Sequence, residues 1–520
     1  MKNISQNSIA NTALLLLFFN LLGKVLGFFR EIIFANNFGL SFNYDIYLVT
    51  SIIPLTVSTI LFYLVQNYFI PQYNLQKKRG ESFSRYFFTK SIVLFLFISI
   101  LIAGSLFIIK DKILSIYLGS NSENLQLISN IFTIFLLSIP INVLFSVLSA
   151  YLQAEFEFKS TAIAQIFLNL SIIFFVFFFS NQLDIYSIVF GYLAGSLCQL
   201  LYLLLIVMRR KDIKLSDFRT KGMLTDGISS SIILIFIIES ISQLYLISDR
   251  FFYLDVESGG IAALNYSTNL YSLPLAIITV TLSTAIFPSL SQLNATNNLK
   301  EITIKIKRFI GINLLIFIPI SILFFLWGNS IIRLILERGE FNSAATDLTY
   351  SALMYYTLGL IPFAIYGGLN KLLYSFGWIK KLLAISVIAM CIKVILNVVF
   401  VAHYKQNGLA LATSASYVSL FLMTIIILRK KIQEINYKHI IYPTISYVFS
   451  AIISFLCVKI IISITIYSNR LLASWIEMFI FALLYTIILY IIKDEEFLNV
   501  FKYILIFQRK ILKNKILFTI

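Results

Sequence analysis

The sequence predicts an all-α polytopic membrane protein of about 14 transmembrane helices, built as two pseudo-symmetric six-helix lobes plus two extra C-terminal helices. Three observations carry this prediction. The chain of 520 residues is 59% hydrophobic and only 12% charged, with a mean hydropathy of +0.89, more apolar than a soluble core of that length. Apolar stretches of about 20 residues recur, each long enough to cross a bilayer at about 1.5 Å per residue. Two parts of the chain also share one layout, from Ile139-Pro140 to Arg209-Arg210 and from Ile361-Pro362 to Arg429-Lys430. Each opens with Ile-Pro inside an apolar helix. A short polar break follows, then a helix bearing an Asn (Asn169; Asn397), a Gly-led helix (Gly191; Gly408) and a basic stop. Duplicated bundles of this kind build a central site between lobes that rock, which points to moving a substrate rather than transforming it.

The spans fall in order at roughly 10–36, 46–72, 86–109, 125–152, 159–180 and 184–208 for the N-terminal lobe, residues 1–208. A basic cytoplasmic linker, 209–224, leads to the C-terminal lobe, 225–430. Its spans lie near 225–252, 260–290, 308–328, 345–370, 381–402 and 406–428. Two added spans, near 439–465 and 471–492, fill residues 431–492, and a tail at 493–520 mixes Phe, Ile and Leu with lysines and Arg509, the composition of an interfacial helix. Spans two and eight each hold a proline near both ends (Pro54 and Pro71; Pro274 and Pro288), which frees carbonyls and permits bending. The first apolar stretch has no small-residue cleavage site after it, so no signal peptide is expected.

A net charge of +17 raises the question of nucleic acid, but its placement argues against it. Lys77, Lys78 and Arg79 follow span two, Arg209 to Lys211 follow span six, Lys305, Lys307 and Arg308 follow span eight, and Arg429 to Lys431 follow span twelve. That bias places both termini and the even-numbered loops in the cytoplasm and assigns the basic residues to topology and anionic lipid. Cys198, Cys391 and Cys457 show no metal-type spacing and are expected as small core residues. No phosphate loop, catalytic triad order or paired outer-loop carboxylates stand out, so no enzyme is expected. Nor is a cofactor or metal.

Charges inside spans cost about 2.5–3.5 kcal/mol each on insertion scales, so they mark function first. Span one holds Lys24, Arg30 and Glu31 beside the small pair Gly23 and Gly27. A small-residue face admits a neighbouring helix or leaves room for a ligand, and an arginine beside such room can hold a phosphate through several N–H donors. The alternative is that Arg30 merely snorkels to the interface. A second group, with Asp249 in span seven, Lys393 and Asn397 in span eleven and Thr413 in span twelve, reads either as a buried polar cluster able to titrate or exchange an ion, or as an inert structural one.

Several stretches resemble the bacterial lipid II flippase (MurJ/MviN) family of the multidrug/oligosaccharidyl-lipid/polysaccharide exporter superfamily. They are Lys24-Val-Leu-Gly-Phe-Phe-Arg30-Glu31 with Phe38-Gly39 and Asp45, then Leu334-Ile-Leu-Glu-Arg-Gly-Glu-Phe341, then Leu358-Gly359-Leu360 and Tyr374-Ser-Phe-Gly377, and finally Gly408-Leu-Ala-Leu-Ala-Thr-Ser414. The resemblance implies a flippase presenting a cationic cavity to a polyprenyl-diphosphate-linked glycan, its tail held by the last two helices. It implies that Arg30 matches a cavity arginine, that Lys24 replaces a second, and that Asp45 matches a family acid. Glu31 and Asn269 join this expected diphosphate site. Two family arginines are missing: the stretch from Pro54 to Ser58 has no base, and Asn269 stands where the eighth span carries one. An O-antigen or capsular repeat-unit flippase therefore stays open, with a drug antiporter or a membrane glycan polymerase as remoter alternatives. Some relatives bind sodium at positions matching Asp249, Lys393, Asn397, Leu409 and Thr413, and Lys393 puts an ammonium where a neutral ligand is expected. Coupling to membrane potential, protons or sodium is thus the expectation, in a monomer of the bacterial inner membrane whose partners are the lipid-linked glycan and membrane lipids, not nucleic acid.

Overall fold

The structure, a computed structural model, describes residues 6–118, 124–210, 230–296, 298–432, 438–463 and 470–502. Among them the chain is nearly all helix, with no strand. The helices are α1 (Gln6–Phe38), α2 (Phe42–Arg79), α3 (Glu81–Ile108), α4 (Lys110–Leu118), α5 (Leu125–Ala154), α6 (Phe158–Leu183), α7 (Tyr186–Arg209) and α8 (Ser230–Ile247). A 3₁₀ stretch, Ser248–Asp255, leads to α9 (Gly260–Pro274), a π-helical segment (Leu275–Thr279) and α10 (Val280–Ala295). Then come α11 (Leu299–Leu336), α12 (Ser343–Thr357), α13 (Leu360–Ser375), α14 (Ile379–Arg429), α15 (Lys438–Ser463) and α16 (Arg470–Ile492). The linker from residue 211 to 224 and the tail beyond 502 lie outside the described residues.

Every expected apolar stretch falls on these helices. Nine of them are long and apolar enough to cross a membrane among the described residues, or ten when the bent pair α12–α13 counts as one span. Two of the spans missing from fourteen have local causes. Expected spans eleven and twelve are one 51-residue element, α14, reversed at Lys405, whose φ of 48° and ψ of −130° leave the helical region. The eighth span is interrupted by the π segment after Pro274, whose ring removes a backbone donor.

The chain packs into two compact units. One comprises Met1–Asn269, Leu336–Leu348 and Val394–Leu409; the other comprises Leu270–Ile335, Thr349–Lys393 and Ala410–Ile520. These units cut across the lobes expected at 1–208 and 225–430, because the first gathers the turns after α8, α11 and the reversal of α14 onto the α1–α2 end.

In the first unit α5 is the central helix, packed on α2, α3 and α7. α6 lies against α7 through Gly191 and Gly195. A Cβ at these positions would come within 2.9 Å of the Ile172 Cα and 3.0 Å of the Leu168 Cα, so only glycine allows that approach. α1 lies on the other side of α6. The α1–α2 turn passes through Gly39 at φ +52°, and Ser41 caps α2 by accepting the Tyr44 N–H at 3.3 Å.

The second unit contains the last two helices. Their attachment to α11 is polar within an apolar setting. The Trp327 indole N–H donates to Glu477 Oε2 at 2.6 Å, Lys459 pairs with the same oxygen at 3.4 Å, and Ser330 meets Ser474 at 3.0 Å. These intramembrane charges went unnoticed in the sequence because Lys459 and Glu477 sit on different predicted spans. α12 and α13 meet at a bend of 50°. A bend frees carbonyls, and the Ser414 hydroxyl donates to those of Tyr355 at 2.6 Å and Tyr356 at 3.2 Å. Gly359 makes room for it, since a Cβ there would lie 2.8 Å from the Ser414 Cα. Beside the bend, an apolar groove of about 470 Å³ opens between α11, α12–α13 and α15, lined by Ile322, Phe325, Leu358, Ile452 and Phe455.

One expectation is corrected. Cys198 and Cys391 lie on exposed faces of α7 and α14 instead of in the core, and Cys457 is half-buried. A thiol is apolar enough to face acyl chains at little cost.

The bend predicts a measurable dependence on Ser414. Ser414→Ala should cost on the order of 1–2 kcal/mol by leaving buried carbonyls short of a donor, read as a lower unfolding temperature of the detergent-purified protein. An unchanged unfolding temperature would remove the hydroxyl from this account.

Candidate functional site

The site begins on α1, whose polar residues share neighbouring faces at spacings of three, four and seven. Lys24 is exposed and has no carboxylate partner among the described residues. A Cβ at Gly23 would meet nothing within 4 Å, and one at Gly27 would only reach the Asn169 side chain at 4.0 Å. The small-residue face expected from sequence therefore borders open space. Arg30 is half-buried. Its Nη1 donates to Asn169 Oδ1 at 3.2 Å and its Nη2 to Glu31 Oε1 at 2.7 Å, while the guanidinium carbon lies 5.4 Å from the Phe34 ring centre. Its Nε is buried without a partner. One edge of the guanidinium is thus fixed in place and the remaining donors are not used up.

Glu31 is the point at which three helices meet. It is 6% exposed. Besides Arg30 it accepts from the Tyr44 hydroxyl at 3.5 Å and from Asn265 Nδ2 at 3.2 Å, and Asn265 also donates to Tyr44 Oη at 3.3 Å. A buried carboxylate needs such donors, because an unpaired one would be costly in low dielectric. Toward the α1–α2 end, rings cover this network. Tyr44 stacks on Tyr266 at 5.5 Å and on Tyr47 at 5.8 Å, and Phe341 meets Tyr266 edge-on at 5.4 Å.

Beyond the rings, backbone ties shut the same end. Asp45 is fully buried, and its two oxygens accept the N–H groups of Gly259 and Ala262, each at 2.7 Å. A carboxylate at the first turn of α9 meets unpaired N–H donors and the positive end of the helix dipole. Both oxygens are therefore spent on a backbone tie, not held free for a ligand. Gly259 adopts φ +78°, and a Cβ there would stand 2.7 Å from the Leu40 carbonyl oxygen. The Glu340 N–H donates to the Asn36 carbonyl at 2.9 Å, and Lys405 pairs with Glu257 at 2.8 Å.

Of the second predicted cluster, the first unit joins Asp249 and Asn397, with Asn397 Nδ2 donating at 2.9 Å. Asn397 Oδ1 is buried and has no partner. Lys393 and Thr413 belong to the second unit, 2% and 4% exposed. Asn269 is half-buried on α9, one turn after Asn265. Sequence reasoning missed Tyr44, Asn265 and the hydrogen bond that Asn169 accepts from Arg30. The signal for the amides was available: Asn169 is a mid-span amide, and Asn265 stands four residues before Asn269, on the same helical face.

Comparison with known proteins gives a consistent picture. The family model for "Lipid II flippase MurJ" matches residues 34–486. A probable lipid II flippase MurJ of Borreliella burgdorferi is 26% identical over 449 residues, covering 84% of this chain and 86% of the relative. Another, from Buchnera aphidicola subsp. Schizaphis graminum, is 26% identical over 430 residues, covering 80% and 82%. Among solved structures, a lipid II flippase MurJ in an inward closed conformation matches with a TM-score of 0.76 at 22% identity, covering 92% of this chain and 98% of its own. An inward-facing multidrug resistance MATE transporter matches with a TM-score of 0.65 at 15% identity, covering 79% and 94%.

The Asp45 tie generates a direct test. Asp45→Ala leaves two N–H groups at the start of α9 without acceptors, a loss of about 1–3 kcal/mol for each one that water does not reach. Hydrogen exchange of the peptide spanning 256–264 should accelerate while exchange in α5 stays slow. Unchanged protection of that peptide would show that the tie does not hold the end shut.

Proposed function

Because the chain belongs to the lipid II flippase MurJ family, whose model matches it over most of its length, we propose that it moves an undecaprenyl-diphosphate-linked saccharide, lipid II or a close chemical relative, from the inner to the outer leaflet of a bacterial cytoplasmic membrane. It does so as a monomer, by alternating access and without making or breaking a covalent bond. The observation that carries this reading is the α1 face, where Arg30 has an unused Nε and Lys24 lacks a carboxylate partner, with open space at the adjoining Gly23. A diphosphate is matched by a guanidinium fork and a nearby ammonium.

In this reading both termini face the cytoplasm, so the α1–α2 end is the outer end. Arg30 lies eight residues before the end of α1, about 12 Å deep at the rise of an α-helix. The outer ties are closed, which leaves the headgroup to enter from the inside. Opening must break the two Asp45 bonds and the Asn36–Glu340 bond. At about 0.5–1.5 kcal/mol net for each neutral bond and more for charged ones, these are of the same order as the ~2.3 kcal/mol that 100 mV exerts on one charge. The isoprenoid tail stays in lipid, and the apolar groove between α11, α12–α13 and α15 is wide enough to receive a stretch of it. A second reading, an O-antigen or capsule-repeat flippase, is favoured by the stretch from Pro54 to Ser58, which has no base, and by Asn269, which stands where the resemblance leads one to expect a base.

For coupling, Lys393 is buried one helical turn before Asn397, whose amide reaches Asp249. A resident ammonium repels a further cation nearby and supplies its charge. Transport is therefore independent of sodium.

Two measurements test these statements. In a bacterium depleted of its lipid II flippase, the chain should restore growth, Arg30→Ala should abolish rescue, and Arg30→Lys should rescue poorly because it loses the fork. Growth restored in full by Arg30→Ala would refute the site. In proteoliposomes, replacing sodium by potassium should leave the rate unchanged, and sodium stimulation would overturn the role given to Lys393.

A further inference from the structure

At the basic end of the second unit, the two ends of α14 return to one place. The turn from Ser375 to Trp378 precedes α14, and Lys431 follows it. Lys381 Nζ lies 3.5 Å from the centre of the Trp378 ring. Lys431 Nζ lies 4.0 Å from the centre of the Phe376 ring and 5.6 Å from that of Trp378. Two ammonium groups thus lie within cation–π range of one indole.

This arrangement is organised from below. Asn294, at the end of α10, donates through Nδ2 to the Ser375 carbonyl at 2.9 Å and accepts from Lys431 Nζ at 3.3 Å through Oδ1. One amide therefore positions both the turn and the lysine, while Gly377, at φ +69°, leaves the space beside the turn open, with nothing within 4 Å of a Cβ built there. Among the described residues neither Lys381 nor Lys431 pairs with a carboxylate, and the Trp378 indole N–H has no hydrogen-bond partner. Two ammonium groups and an indole N–H thus gather around one turn with no carboxylate partner among the described residues.

We propose that Lys381, Trp378 and Lys431 form a docking site for the phosphate headgroup of an anionic phospholipid. Charge complementarity selects that occupant. Indole and lysine both favour the headgroup level of a bilayer, and a fixed pair of ammoniums there attracts anionic lipid at about 1 kcal/mol per lysine. The lipid ties the ends of α10 and α14 to the turn after α13, bracing one end of the unit. Its placement in the inner leaflet rests on the orientation given under Proposed function; the site itself does not.

The test uses the full-length protein in neutral detergent, with phosphatidylglycerol and phosphatidylcholine as probes and readouts of retained lipid by native mass spectrometry and of unfolding temperature. Phosphatidylglycerol should be retained and should raise the unfolding temperature, whereas phosphatidylcholine should do neither. The double variant Lys381→Gln/Lys431→Gln should weaken phosphatidylglycerol binding roughly tenfold or more. Lys381→Arg/Lys431→Arg should keep it, which guards against a folding defect. The neighbouring pair Lys380→Gln/Lys430→Gln, which removes equal charge without touching the rings, should leave it nearly unchanged. Equal loss in both glutamine pairs, no loss in either, or equal stabilisation by phosphatidylcholine would overturn the proposal. Labelling of Lys380→Cys in intact cells would overturn the inner-leaflet placement alone, leaving the site standing.

Discussion

The burial of a carboxylate among apolar helices is the constraint on which the rest of this protein depends. Glu31 cannot remain charged in that setting without donors, and the chain supplies them from its own helix and two others. Arg30 comes from its own helix, Tyr44 from α2 and Asn265 from α9. Satisfying one charge thus fixes the mutual placement of α1, α2 and α9. The same pairing holds the Arg30 guanidinium by both Nη atoms and leaves its buried Nε without a partner. A cation that was fully paired would have nothing to offer a diphosphate, and one that was wholly unpaired would be too costly to keep in a membrane.

A second principle is that irregular backbone is placed only where something satisfies it. The bend between α12 and α13 is met by the Ser414 hydroxyl, and the start of α9 is met by Asp45. These two solutions differ in kind. A neutral hydroxyl against carbonyls is a permanent fixture of a packed unit. A carboxylate from one helix on the first turn of another is a tie that is strong when made and, once hydrated, inexpensive to release. A carrier that must shut one end and later open it is better served by the second kind, and Asp45 makes such a tie with Gly259, whose left-handed backbone brings the N–H groups within reach.

Lys393 is a charge buried to 2% exposure on a membrane-spanning helix. Lys459 and Glu477 extend the same theme to the last two helices, where a charge pair with the Trp327 indole, not apolar packing alone, sets the attachment.

What the sequence by itself determined was the membrane class, the run of spans, the repeated layout and the importance of the α1 charges. These follow from residue type and period, since hydrocarbon admits little besides long apolar helices and every exception shows. Arg30 and Glu31 were legible as intramembrane charges for that reason, and Asp249 and Asn397 as members of one polar group with Lys393 and Thr413. The role of Asp45, the recruitment of Tyr44, Asn169 and Asn265, and the outward faces of Cys198 and Cys391 were decided only by the tertiary structure. A span's sequence gives each residue's angle around its own helix but not which neighbour that angle meets. Hydrogen bonds between residues 139, 214 and 234 positions apart depend on that choice of neighbour, and packing alone makes it.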